Sequence, residues 1–369
     1  MRDVPVAGTT DPAFAPVAEV FRDLLTTGQE TGAALAAFVD GRQVVDLWGG
    51  WADTGHTRPW TADTLVTTFS VCKPIAALSL LRRVADGTVD LDAPVARYWP
   101  EFGAGGKQDA TVRHALAHQA GVPVVAEPLP AAAVFDWDRF AGAIAATPAE
   151  WEPGSALGEH AVTYGHLVGT ILRRAAVGNT VGQVIRDEIA GPLGLDIHIG
   201  LSTNDLARVA DIEYGEPDWP TAAANSHGGL WARAMSNPSG LLTLDTLNSV
   251  DWRTAEVPAI NGHCTARGLA GLYAALLAAD SRVLPPALLA EALAPQAVGF
   301  DRLLEEEATW TLGWRRDGGF IGLGGIGGSS AGMDTERGYA LAYTTHRLAG
   351  HDRSNACYDA LEACLDGVA

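Results

Sequence analysis

Ser70 and Lys73 stand three residues apart in Thr68-Phe69-Ser70-Val71-Cys72-Lys73, and Lys73 is one of two lysines in a chain with 23 arginines. Unlike arginine, lysine gives up its proton within reach of neutral pH. A serine hydroxyl becomes a nucleophile when a neighbouring base takes its proton, so this pair suits acyl transfer through an ester on Ser70. The spacing brings the two side chains together only on a helix. Pro74 is tolerated only in a first helical turn, and the run from Ile75 to Ala85 has helical periodicity that stops at Gly87. The helix therefore starts near Ser70, and residues three apart share its face. The competing reading of the same residues is a capping serine followed by a surface lysine.

The elements that would position this pair follow from hydrophobic periodicity. Phe14 to Leu25 is amphipathic and predicts a helix; Ala33 to Val39 and Gln43 to Trp48 predict two strands joined by a hairpin turn at Asp40-Gly41. From Thr68 to about Leu293 the pattern is mostly helical, with breaks at Trp151-Glu152-Pro153-Gly154 and Asn237-Pro238-Ser239-Gly240. Strand patterns return at Thr309 to Arg315, Gly318 to Leu323 and Tyr339 to Thr345, and Asn355 to Leu365 closes the chain as a helix. Both ends thus contribute strands and one helix each. The simplest packing is an α+β fold in which one antiparallel sheet (residues 1–66 and 300–369) is covered by the terminal helices, with a mostly helical part (67–299) inserted, all within a single domain. A cleft between sheet and insertion is the expected ligand site.

Several ordered motifs carry a family resemblance. Thr68 to Lys73 is followed by Asp86-Gly87-Thr88-Val89-Asp90-Leu91-Asp92, by Val112 to Gly121, by Trp151 to Gly154 and by Thr163-Tyr164-Gly165-His166-Leu167-Val168-Gly169. Together they resemble the serine β-lactamase-like superfamily, closest to the class C β-lactamase-related esterases, from about Ala33 to Thr345. The resemblance implies a β-lactamase and penicillin-binding-protein-like fold, Ser70 as nucleophile, Lys73 as its activating partner, and Tyr164 as general base and later acid. It further implies that His166 stands where many relatives have asparagine. The third motif, usually Lys-Thr-Gly or His-Gly-Gly, corresponds to Leu323-Gly324-Gly325, with Ile326 offering an N–H to an oxyanion hole shared with Ser70. Leucine in place of a cationic first residue argues against a charged β-lactam or peptidyl-D-alanine substrate. Asn261, in Asn261-Gly262-His263-Cys264, is a candidate for the cleft wall.

Other motifs give weaker leads. Gly322 to Gly327 matches a dinucleotide fingerprint but runs into another strand rather than a helix. Gly328-Ser329-Ser330-Ala331-Gly332 matches a nucleophile elbow, yet too little chain follows it for the partner acid and histidine. His114 and His118 are four apart, but no third metal ligand is evident. Cys72 reads as a packing residue. The formal charge of -19 disfavours nucleic acid or anionic lipid as partner, and no apolar run reaches membrane-spanning length. Four cysteines without metal-ligand spacing, and a first segment unlike a leader, suggest a cytoplasmic protein with free thiols. The expectation is a serine hydrolase without metal or organic cofactor, acting on a small-molecule ester or amide. A transacylase delivering the acyl group to an amine or alcohol is the alternative, and a non-catalytic ligand-binding relative a third reading.

Overall fold

A computed structural model of the chain describes residues 4–367. Strands β1 (Val6–Thr10), β2 (Gly32–Val39), β3 (Arg42–Gly50), β4 (Ala297–Asp301), β5 (Glu306–Trp310), β6 (Arg315–Asp317), β7 (Phe320–Gly324), β8 (Ser330–Asp334) and β9 (Tyr339–Thr345) form one antiparallel sheet in the order β1-β3-β2-β9-β8-β7-β6-β5-β4. The helices that matter for the site are α1 (Ala15–Thr26), α2 (Lys73–Ala85), α3 (Trp137–Ala146), α4 (Tyr164–Ala175), α5 (Ala266–Leu277) and α6 (Asp352–Leu365).

The β2–β3 hairpin turns at Asp40 and Gly41, whose φ values of 49° and 74° are those of the primed turn that Asp-Gly favours. Side chains along a strand alternate between faces. Leu35, Ala37, Tyr339, Leu341 and Tyr343 meet Phe21, Leu24 and Leu25 of α1 and Cys357 and Leu361 of α6 on one face of the sheet. On the other face β2 and β9 present alanines, Ala36, Ala340 and Ala342, which belong to the large core shared with the helical part. These small residues let α5, itself rich in alanine and glycine, lie close against the central strands. Both terminal helices therefore cover the same face, as the periodicity predicts, and the architecture is the expected α+β arrangement.

Two features extend the sequence reading. An additional edge strand, β1, precedes α1 and pairs with β3 from Val6↔Gly49 to Thr10↔Val45. The expected strand at Thr309 to Arg315 is divided: β5 ends at Trp310, and Gly313, at φ 113°, turns the chain before β6. A Cβ at Gly313 would lie 2.3 Å from that of Ala77, so this turn brings the sheet directly onto α2. From Lys73 to Leu81 every residue of α2 is buried, and so is Tyr164 to Leu172 of α4, as expected of helices enclosed on all sides.

Candidate active site

The chain enters the site through Val66–Thr67, a two-residue strand paired with His263–Cys264, and passes into a 3-10 turn over Phe69–Cys72 before α2 begins at Lys73. Phe69 adopts φ 49°, unusual for a bulky residue, with its ring buried against Trp252. In a 3-10 turn, side chains three apart eclipse each other. Lys73 Nζ accordingly lies 2.5 Å from Ser70 Oγ and donates to it. Pro74 occupies the first turn of α2, as the sequence requires. Ser70 is half-buried, whereas Lys73 is wholly enclosed.

Two braces hold the turn. On one side Gly262 O accepts the Thr68 N–H at 2.8 Å and the Thr68 hydroxyl at 3.1 Å. Thr67 Oγ1 accepts from Trp252 Nε1 and shares a hydrogen bond with His263 Nε2, each at 3.0 Å. On the other side the turn after β7 presses on the same loop, since a Cβ at Gly325 would fall 2.3 Å from Thr68 O. Gly325 N–H donates to Ser329 O at 2.7 Å and closes that turn, leaving Ile326 half-buried at its tip. Gly324 is exposed, with the His351 ring packed against its Cα. Leu323 joins Ala117, Leu157 and Trp310 in an apolar cluster, so the first residue of this third motif packs rather than presenting a charge.

Three sequence expectations are corrected. Tyr164 is fully enclosed and its hydroxyl donates to Leu116 O at 3.2 Å, not to Ser70 or Lys73. Its ring packs tilted against that of His118 with centroids 4.5 Å apart, and burial pushes the phenol well above its ordinary range. The first residue of α4, Tyr164, is buried with the rest of that helix's leading turns, and its hydroxyl is taken up by the Leu116 carbonyl. His166 lies on the same helix but packs between Trp137 and Phe140, at 4.5 and 4.7 Å, where burial and then Arg173 lower its pKa to about 3. Asn261 spends its amide on the loop itself, accepting from Val257 N–H at 2.9 Å and donating to Trp252 O and Ala255 O at 2.7 and 2.8 Å.

The residue that does meet Lys73 is Glu159, whose Oε1 lies 3.0 Å from Nζ with side-chain exposures of 9% and 0%. A buried carboxylate is retained where a cation pairs with it, and breaking such a pair from one side costs about 3–5 kcal/mol. Asp301, at the end of β4, fixes the backbone of Glu159. Its carboxylate accepts the Glu159 N–H at 3.0 Å, the Leu303 and Leu304 N–H groups at 2.9 Å and the Trp310 indole N–H at 2.9 Å. Burial nonetheless raises the Asp301 pKa. Next to Glu159, His160 accepts the Val122 N–H at Nε2 (3.1 Å) and faces Gly158 O at Nδ1 (2.8 Å); burial brings its pKa to about 4. His118 Nδ1 accepts the His160 N–H at 3.0 Å, and burial, His160 and Lys73 hold it well below its ordinary value. A signal for Glu159 was present in the sequence: it is an acid inside the apolar stretch from Ala156 to Val162, and a buried charge requires a partner.

His114 Nδ1 accepts the Thr111 N–H in a capping box, while His118 belongs to the cluster under Lys73, so the two do not share a helix face. Among the described residues no group of three or more His, Cys, Asp or Glu side chains is placed to hold a metal, and no helix is long and apolar enough to cross a membrane. Cys72 Sγ points to Pro258 O at 3.1 Å, and burial raises its pKa to about 11.

With this geometry the similarities to known proteins converge. The esterase/beta-lactamase LipL of Mycobacterium tuberculosis is 36% identical over 290 residues, 73% of this chain, although the match spans only 64% of LipL's length. A family VIII carboxylesterase superposes with a TM-score of 0.89 at 32% identity, covering 98% of this chain and all of the other. A penicillin-binding protein homologue from Caulobacter crescentus follows at a TM-score of 0.85 and 36% identity, with coverage of 98% and 100%. The Beta-lactamase family model matches residues 17–364, and the chain, with its nine-stranded sheet and its serine and lysine one turn apart, belongs to that family.

Proposed function

We propose that the protein is a serine carboxylesterase in which Ser70 attacks an ester carbonyl and carries the acyl group as a covalent intermediate. The observation that carries this reading is the 2.5 Å contact between a half-buried serine hydroxyl and an enclosed lysine amine at the start of α2. Lys73 takes the hydroxyl proton as the oxygen attacks, and returns it to the departing alcohol. The N–H groups of Ser70 and Ile326 supply the oxyanion hole, the latter brought near by the approach of Gly325 to Thr68. Water then enters as acceptor and regenerates Ser70. The names of LipL and of the family VIII carboxylesterase support ester hydrolysis as the reaction.

The third-motif turn bears on the substrate class. Ile326, at the tip of the turn that presses on Thr68, packs against a buried apolar cluster of Val124, Ala161, Trp231, Ala234 and Leu303 with Leu304 beside them. With Leu323 packed inward, no cation from the third motif awaits a substrate carboxylate. An uncharged ester with an apolar acyl group fits this environment.

A p-nitrophenyl ester of a medium-chain fatty acid tests the proposal. One equivalent of p-nitrophenol is expected in a rapid burst, with the acyl mass found on the Ser70 peptide and lost in Ser70→Ala. Tight binding without any adduct would instead assign the chain to the non-catalytic readers of such ligands, and amide formation with added amines in preference to acid would make it a transacylase. A second expectation concerns the brace. Gly325→Ala must push the turn away from Thr68 O, and displacement of an oxyanion donor by about 1 Å lowers turnover about 10²-fold. Steady-state hydrolysis of the same ester, alongside circular dichroism to confirm the fold, checks this; unchanged turnover would separate the turn from the chemistry.

A further inference from the structure

We propose that Glu159 is the group that receives the Ser70 proton by way of Lys73, the task for which Tyr164 is not placed. This rests on the acyl-transfer reading above and names its proton acceptor. An ammonium cannot accept a proton until it gives one up, and Lys73 Nζ touches two groups among the described residues, Ser70 Oγ at 2.5 Å and Glu159 Oε1 at 3.0 Å. The carboxylate is the one base in contact with it. The other lysine shows that burial alone does not call for a carboxylate. Lys107 is just as enclosed and is satisfied by the carbonyls of Ala145 and Thr147.

The surroundings keep this route free of competitors. His160 has both ring nitrogens engaged with backbone, and His118 is held neutral with Nδ1 occupied. The Asp301 carboxylate faces four N–H groups of the protein rather than Lys73. As Ser70 Oγ bonds to the carbonyl carbon, its proton passes to Nζ while one Nζ proton passes to Glu159 Oε1, and the carbonyl electron pair moves onto its oxygen. On collapse, the carbon–alkoxide bond breaks and the leaving oxygen takes a proton from Lys73, which recovers one from Glu159. Ammonium and carboxylate are restored, and Ser70 is left as an ester.

The experiment is the burst rate of p-nitrophenol release from pH 5 to 10 in the full-length protein, comparing the parent with Glu159→Gln and Glu159→Asp. Glutamine should slow acylation about 10²- to 10³-fold at pH 7 and change its dependence on pH, because no carboxylate is left to take the Nζ proton. Aspartate should restore part of the rate. Parental rate and pH profile in Glu159→Gln would overturn the proposal while leaving the serine esterase intact, whereas absence of an adduct on Ser70 in the parent would remove the esterase itself. Should the glutamine variant fail to fold, the parent decides alone. Two coupled transfers give a bowed dependence of burst rate on deuterium fraction in mixed water, and a straight line would overturn the proposal.

Discussion

Lys73→Arg is expected to lower kcat/KM for ester hydrolysis by about 10²- to 10⁴-fold, the range over which a positioned acid–base group acts. Arginine keeps the positive charge beside Glu159 but does not deprotonate, so the loss isolates proton transfer from charge. The structure adds a stability counterpart. Lys73→Met alone strands the buried Glu159 carboxylate and should cost about 3–5 kcal/mol, whereas Lys73→Met combined with Glu159→Leu removes both charges and should regain most of that loss. Urea unfolding of the single and double variants measures the difference, and both should be inactive. If the double variant is no more stable than Lys73→Met, the coupling read from the 3.0 Å contact is wrong.

Acid should unfold the protein unusually steeply. In the folded chain burial lowers the imidazole pKa of His160 to about 4 and those of His166 and His263 to about 3, and His118 lies well below the ordinary 6.5. Each ring is neutral in the fold, and for His160 and His118 protonation would break an accepted hydrogen bond. When the chain unfolds all four titrate near 6.5. Between that value and the folded values the unfolded chain holds more protons, so stability is complete above about pH 6.5 and falls as pH falls. Each ring contributes about 1.4 kcal/mol per pH unit within this window. Four together approach 5–6 kcal/mol per unit, comparable with the whole stability of an ordinary domain. Asp301, raised by burial, works in the opposite direction and offsets only a part. Urea midpoints at pH 8, 7 and 5 should therefore be nearly level between the first two and drop sharply to the third. A midpoint that is flat down to pH 5 would mean these rings are solvated.

The parts of the molecule that were legible beforehand are those governed by short-range rules. Asp40-Gly41 specifies its own turn, the apolar runs of β2 and β9 mark them as strands, and Pro74 fixes where α2 begins. The contact between Ser70 and Lys73 belongs to the same class, because three residues along a tight helical turn leave little freedom. Tyr164, His166 and Asn261 were placed by motif position, and each is turned away from the serine by a packing choice made elsewhere: the Leu116 carbonyl, the aromatic pair Trp137 and Phe140, and the carbonyls of the loop from Trp252 to Ala255. The pairing of Glu159 with Lys73 is not set by local sequence, because the two lie 86 positions apart and Glu159 is oriented by Asp301, a further 142 positions along.

Local sequence alone thus determined that a hydroxyl and an amine would meet at the head of a buried helix beside an antiparallel sheet, since backbone sterics and a two- or three-residue period suffice for that. Which third group joins them was decided by tertiary structure. A carboxylate enters an apolar interior only where a cation and a set of N–H groups converge on it, and that convergence of α2, the segment before α4 and the end of β4 exists only once the chain has folded.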